Sequence, residues 1–379
     1  MNQDLGLDTL SKIMGWSDDE ARREFAWLRL MARVKYDGYQ DFLAGVRFLE
    51  SLAKWLQQFD RAERSIAYRF IRTRLVYVSP SEMERLVEAF FPKTVRNHLL
   101  NQVASQLSIP RYRVWSHAKG PATYERLRRK TLYMGLSDGA RLDAVRHSNI
   151  GAISNEQVVL TTQLDLDKWR DLLASLRKDL GDSNVRFAGV YLIDDFMGTG
   201  TSFLRFSTEK SAWKGKLTRF RDSVQRATTE LGDQRPFEDG WELRAHHYLA
   251  THKAVTEVAE RVSEVKGLLQ SEIGCAAIRL SFGAVLPQSF PIDIGGPAEF
   301  LPLTTKYYDP SLRNEHTDIG GATHLGLGYG ACALPLVMDH NTPNNSVALL
   351  WAETEGGTSE NGDPVHAMRP LFRRRQRHG

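Results

Sequence analysis

The sequence has little cysteine and no long apolar run. Its two cysteines, Cys275 and Cys332, lie far apart in apolar surroundings, which excludes a disulfide-rich scaffold and argues against a cysteine-based metal site. No segment approaches the ~18 consecutive apolar residues of a membrane-spanning helix. The first residues also lack the basic and then apolar pattern of a signal peptide. We therefore expect a cytoplasmic protein that makes no membrane contact.

The sequence also has no large excess of either charge. Fifty Lys and Arg stand against 46 Asp and Glu, a net charge of +4, which alone decides little about partners. The basic residues are nevertheless clustered around residues 61–74 and 126–130 and at 369–378. Such clusters favour a polyanion such as nucleic acid, although a solvated surface is the commoner reason for them.

One stretch joins an apolar run to acidic and small residues. Val190 to Ile193 are apolar and partly β-branched, as in a buried strand of an α/β sheet. Asp194 and Asp195 close the predicted strand, and an amphipathic run predicts a helix from Phe203. The small residues between them are Gly198, Thr199, Gly200, Thr201 and Ser202.

This order of residues predicts a site for a sugar phosphate. Backbone N–H groups of a glycine-bearing turn and of a first helical turn bind an anion without a lysine. Carboxylates repel phosphate but accept hydrogen bonds from vicinal hydroxyls. We therefore expect ribose hydroxyls on Asp194 and Asp195 and a 5′-phosphate on residues 198–202. A βα turn that uses the acidic pair for Mg²⁺ or as a plain helix start is the alternative.

The same stretch resembles the phosphoribosyl-diphosphate motif of type I phosphoribosyltransferases. It departs from that motif at Gly198, where several base-salvage members have a carboxylate that helps handle the proton of the attacking base. We expect Mg²⁺ at the acidic pair, because a diphosphate leaving group needs its charge neutralised while ribose C1 becomes oxocarbenium-like. The positions that match the motif are Asp194, Asp195, Thr199, Gly200 and Thr201.

Residues 131–147 form a second predicted strand, turn and helix. A diphosphate needs another turn rich in N–H groups beside the first phosphate loop, and Ser137, Asp138 and Gly139 are suited to it. Arg141 or Arg146 would add positive charge. In phosphoribosyltransferases a short loop after an early strand has this role. The same letters are also common in ordinary turns and helix caps.

A third stretch, residues 324–353, contains a dense polar loop between two apolar runs. We expect Asn344 and Asn345 to contact the edge of a base and Trp351 to stack on it. Given Gly198, Asp339 and His340 are the candidates for proton transfer. Loops rich in Asn and Asp also serve as structural turns, which is the alternative.

The length of 379 residues allows two domains,. Residues 1–125 read as helices and predict an N-terminal all-α domain or cap. From residue 131 to 286 strands alternate with helices, which predicts a parallel, doubly wound sheet with ligands at the carboxyl ends of its strands. We therefore expect a phosphoribosyltransferase-like α/β domain, with helices on both faces of the sheet, over 126–355. Residues 356–379 would be a basic, flexible tail.

Most of the chain, from about residue 20 to 355, resembles phosphoribosyltransferase-like proteins of bacterial conflict systems, including those encoded beside retron reverse transcriptases. The resemblance rests on the helical stretch 28–56, the turn at 137–143 and the loops at 194–203 and 324–353. It implies an anti-phage defence effector that stays inactive until infection is sensed. It also implies a nucleoprotein partner, a reverse transcriptase with its RNA or DNA.

Three functions fit these residues. The first is an enzyme that acts at ribose C1 of a phosphoribosyl diphosphate or nucleotide. The second is a non-catalytic nucleotide-binding sensor, which Gly198 favours because glycine has no side chain to move a proton. The third is a nucleotide or NAD glycohydrolase, in which water replaces the acceptor.

Overall fold

The chain forms two compact units, each with its own hydrophobic core. The first unit combines Met1–Met83 with Pro287–Gly379, and the second is Glu84–Leu286. These limits differ from the expected ones at 125 and 355, because the chain leaves the first unit and returns to it about 200 residues later,. The computed structural model describes residues 3–321, 324–358, 362 and 364–374.

Helices and strands are numbered in chain order over the described residues. The helices are α1 (Gln3–Met14), α2 (Asp18–Val34), α3 (Phe48–Gln57), α4 (Arg64–Thr73), α5 (Pro80–Ala89), α6 (Arg96–Gln106), α7 (Gly120–Arg129), α8 (Leu142–Ser148), α9 (Leu166–Leu180), α10 (Lys216–Leu231), α11 (His252–Ile273), α12 (Ile292–Gly295), α13 (Leu301–Lys306), α14 (Glu315–Ile319) and α15 (Ala348–Trp351). The strands are β1 (Val76–Val78), β2 (Thr131–Gly135), β3 (Val158–Val159), β4 (Phe187–Met197), β5 (Arg205–Ser207), β6 (Ala212–Lys214), β7 (Phe237–Thr251), β8 (Ala277–Leu286), β9 (Leu336–Met338), β10 (Gly357–Thr358) and β11 (Pro364–Val365). Across these described parts, no helix is both long and apolar enough to cross a bilayer.

The second unit is built on a five-stranded parallel sheet with the order β3-β2-β4-β7-β8. This confirms the predicted α/β fold. The chain runs outward from β2 to β3 on one side and from β4 to β8 on the other, so its direction reverses between β2 and β4. Ligands of open α/β sheets bind at the carboxyl ends of the strands at such a reversal.

Both faces of this sheet are covered. Leu132, Val190 and Leu192 are fully buried in one core with the apolar sides of α9, α10 and α11. On the other face, Tyr133 and Tyr191 contact the ring of Phe90, which begins a π-helical turn between α5 and α6. Part of the N-terminal helical region, from residue 84 onward, therefore belongs with the sheet.

The central strand and its following helix differ from the sequence prediction. Strand β4 continues through the acidic pair to Met197, because Asp194, Phe196 and Met197 remain in register with β7. Helix α10 begins at Lys216 and not at Phe203. Phe203 and Leu204 are buried in the core, and the hairpin β5–β6 separates them from the helix.

The first unit draws its core from both of its chain segments. Trp55 of α3 donates its indole N–H to the carbonyl of Leu349 at 2.6 Å. The ring of Phe70 stacks on Phe300 with centroids 3.9 Å apart. Strands β1 and β9, one from each segment, pair in parallel. The helices of residues 3–73 are thus completed by residues that the sequence analysis assigned to the α/β domain.

The segment expected to be a flexible tail is partly ordered. Leu371 and Phe372 are fully buried in the core of the first unit, and the guanidinium of Arg373 lies 2.8 Å from the carboxylate of Glu353. The two apolar residues fix this part of the chain despite the basic residues around them. The last basic residues, 375–379, lie outside the described part of the chain.

Candidate functional site

The two carboxylates of the acidic pair have different surroundings. Asp194 is 4% exposed, and its two oxygens accept hydrogen bonds from the hydroxyl of Ser137 and the ammonium of Lys216. Asp195 is half-buried, and its Oδ1 accepts from the backbone N–H of Phe196 at 2.8 Å. Asp194 therefore ties neighbouring segments together, whereas Asp195 is the carboxylate that a ligand can approach.

Burial dominates the electrostatics of Asp194. It raises the pKa of this carboxyl, the adjacent charge of Asp195 raises it further, and Lys216 and Ser137 act in the opposite direction. The imidazole of His247, paired with Asp194 in the strand register, is also buried, and this lowers its pKa to about 3. His247 is therefore neutral near pH 7, and the cation that meets Asp194 is Lys216.

The turn after β2 lies against the acidic pair. Ser137 leads into a short 3₁₀ turn over Asp138–Ala140, and Arg141 follows with a φ of 48°. A Cβ atom at Gly139 would lie 2.4 Å from Oδ2 of Asp195, so only glycine allows this approach. Adjacent parallel strands bring the predicted diphosphate turn and the acidic pair to the same edge of the sheet.

The glycine-threonine loop directs its carbonyl groups into the protein. The carbonyl of Gly198 accepts from the hydroxyl of Thr251 at 2.6 Å, and that of Thr199 accepts from Arg261 at 2.9 Å. The carbonyl of Gly200 accepts from the N–H groups of residues 203 and 204. The loop is thereby held by α11 and by its own last turn.

The donors of this loop remain available to a ligand. Within the described chain, the backbone N–H groups of Thr199, Gly200 and Ser202 form no hydrogen bond. Gly200 has a φ of 70°, and a Cβ atom there would lie 1.9 Å from Val258, so glycine is required twice over. A turn that presents successive N–H groups in this way binds anions.

The role of Lys216 was not predicted from the sequence. This residue starts α10, and its backbone N–H donates to the carbonyl of Ser202 at 3.0 Å while its ammonium meets Asp194. Its side chain is 19% exposed. The lysine-rich run 209–220 contained the signal, but local sequence could not show which lysine faces a buried carboxylate.

Asp194, one of the two carboxylates expected to bind Mg²⁺, already has partners on both oxygens. The ammonium of Lys216 already occupies one oxygen of Asp194 and the hydroxyl of Ser137 the other. In the parts of the chain that the structure describes, no group of three or more acidic, histidine or cysteine side chains could hold a metal. Mg²⁺ often keeps several waters and binds mainly through substrate phosphates, so a direct bond to Asp194 is not required.

The predicted proton-transfer residues lie in the first unit. Asp339 is fully buried, and its Oδ1 is 3.1 Å from Nδ1 of His340. The backbone N–H of Asp339 donates to the carbonyl of Val78, and its carbonyl accepts from Gln40. These contacts fix the end of β9 within its own unit.

The predicted base-contacting residues make structural contacts in the same unit. The amide of Asn345 donates to the carbonyl of Tyr329 at 3.0 Å, and the carbonyl of Asn344 accepts from the N–H of Tyr329. The indole of Trp351 donates to the carbonyl of Ser346 at 2.8 Å. The amide of Asn345, the backbone of Asn344 and the indole N–H of Trp351 thus have structural contacts within the first unit, and base contact by these residues stays a prediction.

Comparison with protein families gave one finding. The family model PRTase-CE matches residues 52–374, which is most of the chain. Comparison with curated proteins and with solved structures found no match.

Proposed function

Because the chain belongs to the PRTase-CE family, a phosphoribosyltransferase-like family, we propose that it acts at ribose C1 of a phosphoribosyl diphosphate or nucleotide. The observation that supports this most directly is the meeting of three parts at the reversal of the sheet. These parts are the turn at 137–141, the acidic pair and the loop at 198–202. All three belong to the second unit, and the proposal rests on that unit alone.

Each part has a role that follows from its contacts. Asp195, the more accessible carboxylate, accepts hydrogen bonds from the ribose hydroxyls. The free N–H groups of Thr199, Gly200 and Ser202 bind the 5′-phosphate. The turn at 137–141, with the guanidinium of Arg141, binds a diphosphate or a second phosphate.

The negative charge of the acidic pair suits the reaction at C1. When the bond from C1 to its leaving group breaks, positive charge develops on the sugar, and a carboxylate nearby stabilises it. Asp194 acts as a positioning residue, because its oxygens hold the diphosphate turn and the start of α10. Mg²⁺ would be held mainly by substrate oxygens and would neutralise the charge of a diphosphate leaving group.

A nucleotide-binding sensor without catalysis is a second candidate. Gly198 brings no side chain to the site, and its carbonyl is engaged by Thr251. His247, the nearest imidazole to the acidic pair in the strand register, is buried and neutral. The second unit thus binds a sugar phosphate readily but offers few groups for moving a proton. Asp339 and His340 stay predictions for that step.

The biological role is a further part of the proposal. On the sequence resemblance alone, the protein is an effector of a retron-like anti-phage defence system, with a reverse transcriptase and its RNA or DNA as partner. If so, cells that carry the whole system should resist phage, and Asp195→Asn in the effector should abolish resistance. Equal plating of phage on both strains would contradict this role.

The biochemical test is mass spectrometry of a nucleotide and phosphoribosyl-diphosphate pool incubated with Mg²⁺ and purified protein. Wild type is compared with Asp195→Asn and with the control Asp167→Asn, a carboxylate that is 88% exposed on α9. The proposal expects a metabolite that wild type and the control consume and Asp195→Asn does not. Release of diphosphate indicates transfer, and release of a base without diphosphate indicates a glycohydrolase.

The pool is also incubated with extract of infected cells, in case the protein is latent. Retained ligand binding without turnover in either condition would favour the sensor. Loss of both binding and turnover in wild type would contradict the whole assignment.

A further inference from the structure

An open groove of about 470 Å³ lies between the hairpin β5–β6 and the start of α10. Ser202 of the phosphate loop is one of its lining residues, and Trp213 and Lys214 of β6 and Arg219 of α10 are others. The predicted roles of the loop at 198–202 do not use this groove.

The groove is strongly basic. Its lining has four cations, Arg205, Lys214, Arg219 and Arg221, and one carboxylate, Asp222, which gives a net charge of +3. The carboxylate pairs with Arg221 at 2.7 Å. Lys214 and Arg219 are exposed and form no ion pair with any described residue. These two solvated cations, together with Arg205, favour an anionic ligand.

The groove continues directly from the phosphate loop. Ser202 supplies one of the free N–H groups and also lines the groove. Arg205 lines the groove as well and donates to the carbonyl of Thr201 at 3.2 Å. A phosphate held by the loop therefore lies beside this basic groove.

One wall of the groove is aromatic. Trp213 lines it, and its ring makes an edge contact with Phe206 on the paired strand, with centroids 5.5 Å apart. Trp213 is half-buried, so part of its ring is accessible from the groove. An aromatic ring beside cations is a surface on which nucleobases stack.

We propose that the substrate is a nucleotide whose 5′-phosphate is itself joined to a second nucleotide, through either an ester or a phosphoanhydride bond. The loop at 198–202 binds that phosphate, and the attached phosphate and base lie in the groove against Lys214, Arg219 and Trp213. This rests on the proposed function of the loop. A free phosphomonoester, as in phosphoribosyl diphosphate, would leave the groove empty. A dinucleotide joined by a diphosphate and the 3′-terminal nucleotide of a strand both have the required chemistry.

The test measures binding to the full chain by titration calorimetry. The three probes are ribose 5-phosphate, nicotinamide adenine dinucleotide and a short single strand of DNA. The groove variant is Lys214→Ala/Arg219→Ala, and its control is Lys168→Ala/Lys178→Ala, which removes the same charge from the exposed side of α9. Both variants change exposed side chains only, so both should fold.

We expect wild type and the control to bind the dinucleotide or the strand at least about tenfold more tightly than ribose 5-phosphate. The groove variant should lose this preference while its affinity for ribose 5-phosphate is unchanged. Preference for the strand, with a steep dependence on salt, identifies a nucleic acid, and preference for the dinucleotide identifies a small molecule.

Failure of the inference can be told from failure of the proposed function. If wild type binds ribose 5-phosphate but neither larger probe more tightly, the groove proposal is wrong and the loop assignment stands. The same holds if the groove variant keeps the preference. If wild type does not bind ribose 5-phosphate at all, or Asp195→Asn binds it equally well, the proposed function itself is wrong.

Discussion

At the scale of single residues, the pair formed by Lys216 and Asp194 controls the shape of the site. Asp194 is buried with a raised pKa, and the ammonium of Lys216 compensates its charge. Removal of one partner from such a pair leaves an uncompensated charge, which typically costs about 3–5 kcal/mol. The same pair joins β4 to the first residue of α10, so its loss would also release the phosphate loop at Ser202.

We therefore predict that Lys216→Met lowers stability in a manner that depends on pH. Loss of the cation raises the folded pKa of Asp194 further. A carboxyl whose folded pKa lies above its unfolded value weakens the fold most above the folded pKa, and the weakening shrinks as pH falls from the folded pKa to the unfolded value. The deficit relative to wild type should therefore be larger at neutral pH than in acid, as measured by urea unfolding at both pH values.

The double variant Lys216→Met/Asp194→Asn is the control for this prediction. It contains no charge at either position, so its deficit should be smaller at the higher pH and should change little with pH. A Lys216→Met deficit that is equal at both pH values would mean that the ion pair does not determine the stability of this region.

Gly139 is the second residue whose role can be tested. In Gly139→Ala, the new methyl group would lie 2.4 Å from Oδ2 of Asp195 and would displace this carboxylate. We expect at least about a tenfold loss of affinity for ribose 5-phosphate, measured by calorimetry. The control is Gly267→Ala on the exposed side of α11, where nothing lies within 4 Å. That change should keep affinity and add up to about 1 kcal/mol of stability.

At the scale of elements, Thr251 joins the phosphate loop to α11. Its hydroxyl accepts from the backbone N–H of Ala254 at 3.0 Å, as a helix cap, and donates to the carbonyl of Gly198. We predict that Thr251→Val, which keeps the shape, costs about 1–3 kcal/mol in thermal unfolding and weakens ribose 5-phosphate binding. Thr251→Ser keeps the hydroxyl and should restore both. Equal behaviour of the two variants would argue against this link.

The contact of the loop with α11 leads to a second prediction for these elements. Gly200→Ala would place a methyl group 1.9 Å from Val258 and would force alanine to a φ of 70°, so it should cost more than about 1 kcal/mol and reduce phosphate binding. Adding Val258→Ala removes the overlap but not the backbone strain. The double variant should therefore recover part of the phosphate affinity of wild type in calorimetry. No recovery would show that the overlap does not limit the loop.

The sequence was sufficient to predict the elements that carry apolar runs. β2 and β4 were expected near their observed places because buried parallel strands need continuous apolar residues. The hairpin β5–β6 was not, because its strands of three residues each are too short to show alternation. Phe203 and Leu204 suggested a helix there, although they are buried as a loop anchor.

The candidate site, like the fold, could be predicted in part from the sequence. The loop at 198–202 and the turn at 137–139 are rich in glycine, serine and threonine, which favour tight turns with exposed N–H groups. Because both follow parallel strands, they lie at the same edge of the sheet. The ion pair of Lys216 with Asp194 and the groove both depend on where α10 starts, and the local sequence did not predict that residue. The polar loop 339–345 differed from this prediction, because its side chains contact other segments of the first unit: the amide of Asn345 donates to the carbonyl of Tyr329, and the hydroxyl of Thr342 donates to the carbonyl of Phe372.

At the scale of the whole molecule, the second unit is an insertion between two segments of the first. Periodicity along the chain cannot reveal this, because the contacts between Trp55 and Leu349 or Phe70 and Phe300 join residues more than 200 positions apart. Each segment alone has an incomplete core. Composition alone therefore predicted domain limits at residues 125 and 355. In the structure the units are instead defined by the segments whose apolar residues pack in the same core.

This architecture predicts that the inserted unit folds alone. A fragment of residues 79–286 keeps α5 whole with its cap at Ser79, where Glu82 and the serine form reciprocal hydrogen bonds, and it includes the complete core of the sheet. We expect cooperative unfolding of this fragment and an affinity for ribose 5-phosphate within about threefold of the full chain. Residues 1–83 alone should remain unfolded, because their core needs residues 287–374. A fragment that folds without binding would mean that the first unit contributes to the sugar-phosphate site.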